Sequence, residues 1–266
     1  MNLRTLRISS LLVVPLLLPG CFIQLDGELG GEIREHLKGA CWGDDMIASE
    51  HVTIEEAVTA VVVDGGVGDI EVRTHAAPGA VVHADVFGDD DDGPTARVRM
   101  EGSVLHVDVD CGDSDCCAAD LELTIPATAT LEVGLGVGDV SVSDVAGTTQ
   151  IDLEVGDIGL HAVAGDLQLD TGTGSIDGED LRGAAARVDV GTGDVDLKWS
   201  ASATLDSIAV DVGVGSVDLE VPAGSYDLRL DAGVGDVDTD GLRADGAAPG
   251  SILVDVGTGD ISIDGR

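Results

Sequence analysis

Apolar and acidic residues alternate along most of the second half of the chain. Val188–Val190 and Val195–Leu197 each read apolar, acidic, apolar. Alternation with period two is typical of a β-strand that buries one face, so the apolar side chains are predicted to point inward and the acidic ones, such as Asp196 and Asp218, outward. The equivalent inward positions of successive strands include Val195, Val217 and Val237.

A short phrase, Gly-x-Gly-[Asp/Ser]-[Val/Ile], separates these strands. From Asp139 onward its fourth position recurs after 18, 18, 19, 22, 20 and 24 residues. Each unit therefore reads as strand, glycine corner, strand and loop, and one unit cannot bury its own apolar face. The pattern predicts an all-β fold, a β-solenoid (β-helix) of stacked rungs of about twenty residues with Gly-x-Gly corners. The complete copies begin at Gly66, Gly136, Gly172, Gly191, Gly213, Gly233 and Gly257.

Two other β architectures stay open from the pattern alone. A propeller is the runner-up, although each blade needs about forty residues and four strands. Antiparallel meanders show the same alternation, because alternation does not give strand direction. Between residues 69 and 139 the repeat is irregular, and residues 88–93 form a solvated loop with four consecutive Asp. Strands are still predicted there at 81–86, 96–100, 104–109 and 121–125.

The first residues have the order of an export signal. Arg4 and Arg7 precede an apolar run at 11–18 that is too short to span a bilayer. The tetrapeptide Leu18–Cys21 resembles a bacterial lipobox, which implies that Cys21 carries lipid and anchors the protein to a membrane. An ordinary signal peptide with a chance Cys is the alternative. The protein is predicted to be exported and lipid-anchored to the bacterial membrane, at the cell surface or the periplasmic face.

Three segments follow from these patterns. Residues 1–20 are a lipoprotein signal peptide, residues 21–56 an N-terminal tether and cap, and residues 57–266 the repeat domain. Glu32–Lys38 is predicted to form a short helix that covers the first rung, since terminal repeats need a cover.

Four cysteines remain besides Cys21. Export favours disulfides over a metal site, and four Cys allow three pairings. Cys111 and Cys116 flank a predicted hairpin loop and are candidates for one bridge, which leaves Cys117 for Cys41. A zinc site that adds His106 to these cysteines is the alternative.

The net charge of the chain limits the kinds of partner that it can bind. The chain has 51 Asp and Glu against 13 Lys and Arg, a formal charge of −38. Phosphate binding needs clustered Lys and Arg, so nucleic acid is excluded as a partner. Aromatic residues make up 2% of the chain, so the core must consist of Val, Leu, Ile and Ala. An acidic solvated surface is the simplest interpretation of the charge.

Acidic residues recur on both sides of the glycine corners. Stacked units would bring them about 4.8 Å apart, and Ca²⁺ is the hard cation that would relieve their repulsion. The alternative is that each Asp caps its turn by accepting backbone N–H bonds, with Ser175 and Ser216 interrupting the column. No cofactor is otherwise predicted. The candidate calcium ligands are Asp64, Asp69, Asp189, Asp194, Asp231, Asp236, Asp255 and Asp260.

A Leu-Thr-Ile-Pro step at Leu123–Pro126 precedes the regular repeats. With the lipobox and the repeated Gly-x-Gly-Asp-Val phrase, it makes residues 57–266 resemble the bacterial putative-adhesin family of β-strand-repeat proteins. The resemblance implies a β-solenoid outside the cytoplasm without catalytic residues.

Catalytic motifs do not appear in the sequence. No His pair has metal-ligand spacing and no Gly-x-Ser-x-Gly elbow occurs. A β-helical polysaccharide enzyme would need exposed aromatic platforms, for which Trp199 and Tyr226 are the only candidates. The predicted function is a non-catalytic, lipid-anchored structural or adhesive module of the cell envelope, with an unknown protein or surface ligand. The alternative is a periplasmic sensor or scaffold that binds a partner protein or divalent cations.

Overall fold

The computed structural model describes residues 46–88, 95–110 and 117–266. These residues form 22 strands, and no helix occurs among them. In chain order the strands are β1 Met46–Ile54, β2 Ala60–Val67, β3 Ile70–His75, β4 Ala80–Gly88, β5 Thr95–Glu101, β6 Val104–Asp110, β7 Cys117–Pro126, β8 Thr130–Val137, β9 Val140–Ser143, β10 Thr149–Val155, β11 Ile158–His161, β12 Leu167–Thr173, β13 Ile176–Leu181, β14 Ala185–Thr192, β15 Val195–Trp199, β16 Ser207–Val214, β17 Val217–Val221, β18 Ser225–Val234, β19 Val237–Asp240, β20 Arg243–Ala244, β21 Ser251–Thr258 and β22 Ile261–Gly265.

The strands form two sheets of eleven strands each. The first sheet has the order β1-β4-β7-β3-β9-β11-β13-β15-β17-β22-β19. The second has the order β20-β18-β21-β16-β14-β12-β10-β8-β2-β6-β5. The all-β prediction is confirmed, and two continuous sheets are not the separate four-stranded blades of a propeller.

Each repeat unit gives one strand to the second sheet, turns at its glycine corner, and gives the next strand to the first sheet. Thus β10 pairs with β12 and β11 with β13, both in parallel, which supplies the strand direction that alternation left open. Equivalent residues face each other, so Ile151 pairs with Leu169. Inward side chains therefore stack in continuous rows from unit to unit.

Close packing of neighbouring backbones explains the corner glycines. Gly156 has φ of 141°, and a Cβ at this position would lie 1.7 Å from the carbonyl oxygen of Gly138 in the neighbouring unit. The same clash recurs at Gly174 and Gly193, which also have positive φ. A side chain at any of these corners would push two units apart.

The core consists of the inward aliphatic rows. Val195 and Val217 are 1% and 0% exposed, as the alternation predicts. For Val237 the prediction is wrong, because this side chain is 46% exposed. Val237 lies on β19, which is the edge strand of the first sheet and has a neighbour on one side only.

The last two repeat units lie in reverse order. The unit β21–β22 lies between the unit β16–β17 and the unit β18–β19, with parallel pairing on both sides. We call β18–β19, residues 225–240, the terminal unit. Tyr226 connects the segments that lead into β18 and β21. Its hydroxyl donates to the Pro222 carbonyl at 2.8 Å, and its ring packs against Gly250.

The other end of both sheets is antiparallel. In the first sheet β4 pairs antiparallel with both β1 and β7, and in the second β5 and β6 form a hairpin. All four strands predicted between residues 69 and 139 are present, each somewhat longer than predicted. Strand β1 falls within the segment 21–56 that the sequence assigns to the tether and cap.

The predicted hairpin around residues 111–116 is wrong. The preceding strand β6 belongs to the second sheet, between β2 and β5, and the following strand β7 belongs to the first. Both edges of β6 are already paired, so β7 cannot pair with it. Residues 111–116 themselves, the signal segment, Cys21, Glu32–Lys38, Cys41 and the Asp-rich loop at 89–93 lie outside the described residues.

Candidate interaction surface

A continuous row of aspartates crosses the outer face of the second sheet. Its members lie on six adjacent strands and pair directly in the strand register. Adjacent strands are about 4.8 Å apart, so this strand row repeats a carboxylate at that spacing. The strand row consists of Asp152, Asp170, Asp189, Asp211, Asp255 and Asp231.

Asp170 of the strand row has a raised pKa. Burial raises the pKa of Asp170 above its usual value, and the flanking Asp189 and Asp152 raise it further. Arg187 acts in the opposite direction. The row thus holds more negative charge than its few neighbouring cations balance.

A second row follows the glycine corners and is held by backbone hydrogen bonds. Oδ1 of Asp139 accepts the N–H of Asp157 at 3.1 Å, and Oδ1 of Asp194 accepts the N–H of Ser216 at 2.8 Å. Acceptance of N–H bonds agrees with the turn-capping interpretation, but each donor belongs to the neighbouring unit rather than to the same turn. This corner row consists of Asp69, Asp139, Asp157, Ser175, Asp194, Ser216, Asp260 and Asp236.

The predicted calcium ligands separate into these two rows. Asp64 pairs with Gly134 in line with the strand row, whereas its predicted partner Asp69 lies at the corner and caps the N–H of Asp139. Within the described residues, no three His, Cys, Asp or Glu side chains converge as a metal site would require. Calcium binding by these residues stays a prediction.

A shallow groove of about 290 Å³ crosses the outer face of the first sheet. It exists because Gly159 has no side chain between Ser141 and Asp177 in the outward row. Lys198 Nζ donates to Asp196 Oδ2 at 2.9 Å along one wall, and this bond raises the pKa of Lys198. The polar side chains that line the groove are Ser141, Ser143, His161, Asp177, Glu179, Asp196 and Lys198.

Asp177 lies in this groove among other carboxylates. Burial raises its pKa, and Asp196, Asp157 and Glu179 raise it further against the lowering effect of Lys198. The groove therefore offers hydroxyl groups and excess negative charge, which suits a cationic or hydroxyl-bearing group on a ligand.

Both aromatic candidates for sugar stacking are buried, which corrects the sequence-based expectation. Trp199 is 5% exposed and donates from Nε1 to the Gly183 carbonyl at 3.2 Å, while Tyr226 is 7% exposed. Their large apolar rings fill the core at places where the chain leaves the regular repeat. Neither can serve as an exposed platform for a polysaccharide.

Of the cysteines predicted to carry lipid or to form disulfides, Cys117 lies among the described residues. Cys117 is the first residue of β7, and the other cysteines lie outside the described residues. The disulfide pairing and the lipid site at Cys21 therefore stay predictions. No helix long and apolar enough to cross a membrane occurs in the part of the chain that the structure describes.

These features define an all-β repeat protein of two large mixed sheets with acidic outer faces. No protein-family model and no curated protein matches the chain. Among solved structures it is similar to a candidate adhesin from Bacteroides fragilis, with 14% identity, a TM-score of 0.42, and coverage of 82% of this chain and 97% of that chain.

Two further solved structures have similar coverage. A candidate cell adhesion protein from Clostridium sporogenes has 13% identity and a TM-score of 0.36 over 82% of this chain and 100% of that chain. A candidate lipid binding protein from Parabacteroides distasonis has 8% identity and a TM-score of 0.30 over 82% of this chain and 96% of that chain.

Proposed function

We propose that the protein is a non-catalytic interaction module of the bacterial cell envelope, built as a β-solenoid and anchored by lipid at Cys21. The in-register parallel pairing of seven successive glycine-cornered units supports the solenoid. Such a body is rigid along its stack, because each unit is held by both neighbours. Its role is to present repeated surface side chains at fixed spacing.

One observation carries this proposal: the strand row places like carboxylates on six adjacent strands. A ligand that itself repeats, such as a cationic cell-surface component, gains from several weak contacts at once.

The test is capture from envelope extract by the purified chain. We expect the variant Asp170→Asn/Asp189→Asn/Asp211→Asn to retain much less of its captured partner than the unmodified chain. The matched control neutralises three exposed Asp outside the strand row, Asp206→Asn/Asp218→Asn/Asp264→Asn. Equal loss in both variants would assign the binding to net charge rather than to the row.

The anchor and the membrane face need a separate experiment. Cys21→Ser is expected to release the protein from membranes or to leave the signal uncleaved. A cleaved Cys21→Ser protein that still fractionates with membranes would rule out lipid attachment at this residue. Protease added to intact cells separates a surface module, which is degraded, from a periplasmic scaffold, which is protected.

A further inference from the structure

The terminal unit ends the stack without a cover among the described residues. Its strands β18 and β19 lie at or next to the ends of the two sheets, and the short strand β20 covers only Ser225 and Tyr226. Val237 is 46% exposed, whereas Val217 at the equivalent internal position is fully buried. Leu228 and Leu230 are only partly buried, whereas the residues that they pair with in β21 are buried. The interior rows are therefore open to solvent at this end.

Backbone groups at the terminal corner point to a missing neighbour. In an internal unit, Gly215 N–H donates to the Thr258 carbonyl and Val217 N–H to the Asp260 carbonyl, each at 2.9 Å. The equivalent donors in the terminal unit are the N–H groups of Gly235 and Val237. No described residue accepts from either of them.

The corner row also ends with a ready acceptor. Oδ1 of Asp260 accepts the N–H of Asp236 at 2.8 Å, as corner carboxylates do along the stack. The carboxylate of Asp236 is next in this series, and no described N–H lies against it. The terminal corner thus presents two N–H donors, on Gly235 and Val237, and one carboxylate acceptor, on Asp236. At internal corners the equivalent groups bind the neighbouring unit.

Sterics and charge define what fits this corner. A Cβ at Gly235 would lie 1.9 Å from the Gly259 carbonyl oxygen, and by the same geometry a residue stacked on Gly235 must itself be glycine. Asp227, Asp231, Asp236, Asp238 and Asp240 outnumber the single cation of the terminal unit, Arg229, five to one. A second copy docking through the same unit would bring these carboxylates together, which like-charge repulsion disfavours.

We propose that the terminal unit is a docking site for an extended, basic, glycine-containing segment of a partner protein, which adds one parallel unit to the two sheets. Apolar side chains of the segment would cover Leu228, Leu230 and Val237, and its Lys or Arg side chains would face the aspartates. This inference rests on the proposed function as an interaction module and names the chemistry of the partner.

The probe is a labelled peptide, Val-Lys-Val-Gly-Thr-Gly-Lys-Ile-Ser-Ile, patterned on Val254–Ile263 with lysine at both acidic positions. We expect saturable binding to the purified chain by fluorescence anisotropy. Val237→Pro removes one free N–H at an edge position that tolerates proline, and is expected to weaken binding at least about tenfold. Val237→Ala keeps the N–H and loses only part of the apolar contact, so it is expected to weaken binding less than Val237→Pro does. A peptide with Ala for its second Gly is expected not to bind.

Several results would overturn the docking site. These are no binding at low salt, equal binding by Val237→Pro and Val237→Ala, or equal binding of the two peptides. Concentration-dependent dimers in light scattering, disrupted by Val237→Pro, would assign the unit to self-association instead. Envelope capture that depends on the strand row while the peptide fails would leave the proposed function standing and reject this site alone.

Discussion

The internal unit β16–β17 and the terminal unit β18–β19 share a sequence pattern and differ in environment. Val217 is fully buried in the first, and its equivalent Val237 is nearly half exposed in the second. Both follow the same glycine phrase and the same alternation. The comparison teaches that burial in this molecule is conferred by the two neighbouring units and not by the phrase itself.

The largest effect is expected from a side chain at an internal corner. Gly156→Ala places a Cβ against the Gly138 carbonyl oxygen and forces alanine into a positive φ, which L side chains rarely adopt. We therefore expect the free energy of unfolding to fall by more than about 4 kcal/mol. The control is Gly66→Ala, where no atom lies within 4 Å of the added Cβ. Similar losses in the two variants, measured by urea unfolding, would show that the close approach at the corner does not limit stability.

The next largest effect compares the same substitution in the internal unit and in the terminal unit. Val217→Ala is expected to destabilise the fold by about 1–3 kcal/mol, through lost apolar burial and a cavity. Val237→Ala should cost less than about 1 kcal/mol, because much of that side chain is already in water. Chemical denaturation of both variants measures the difference. A loss at Val237 as large as that at Val217 would mean that the terminal unit is covered in solution.

Amide exchange compares the units without mutation. The N–H groups of Gly193 and Val195 donate to carbonyls of the next unit at 2.9 Å each. Their counterparts Gly235 and Val237 have no described acceptor, so we expect exchange faster by at least about a hundredfold. Hydrogen exchange of the isolated chain makes this measurement, and slow exchange at Gly235 would contradict an open end.

Cations are expected to stabilise the stacked rows by screening. The Debye length is about 10 Å at 0.1 M salt, so salt strongly reduces repulsion between carboxylates more than two strands apart in the row and reduces repulsion between direct neighbours only in part. We expect equal rises in Tm with sodium, magnesium and calcium at matched ionic strength. A rise with calcium alone, lost in Asp194→Asn, would instead reveal calcium sites that bind only the folded state.

The smallest effect concerns pH. Because burial and flanking aspartates raise the pKa of Asp170, its ionisation opposes folding above the folded-state pKa. This penalty shrinks as pH falls through the raised folded-state pKa, and it is gone below the ordinary pKa of an Asp carboxyl. Asp170→Asn should therefore raise Tm slightly at pH 7 and change it little in acid. An increase in Tm from Asp170→Asn that grows as pH falls would contradict a raised pKa for Asp170.

Local pattern predicted much of this fold for a physical reason. Alternation reports which side of a strand meets water, so Val195 and Asp196 were assigned correctly, and the corner glycines mark places where backbones nearly touch. The pattern could not distinguish Val237, because exposure there depends on the absence of a neighbour. It also missed the burial of Trp199 and Tyr226, since irregular connections and not the repeat create their pockets.

The sequence predicts that aspartates form the candidate surface, but it does not predict which of them are neighbours. The sequence pairs Asp189 with Asp194 across one corner, whereas the structure puts Asp189 beside Asp170 and Asp211 on neighbouring strands. Contacts between units depend on register, which a single unit does not encode. The reversed order of the last two units was equally hidden, because nearly identical units are interchangeable as neighbours.

That reversal has a consequence for how the molecule is made. A chain synthesised from its N-terminus produces β18–β19 before β21–β22, yet β21–β22 lies between β18–β19 and the rest of the stack. Until residues 251–265 have been made, β18–β19 can pair with β16–β17 directly. Any such pairing has to break before β21–β22 can take its place between the two units. Ser251–Gly265 therefore has to enter between two units that are synthesised before it.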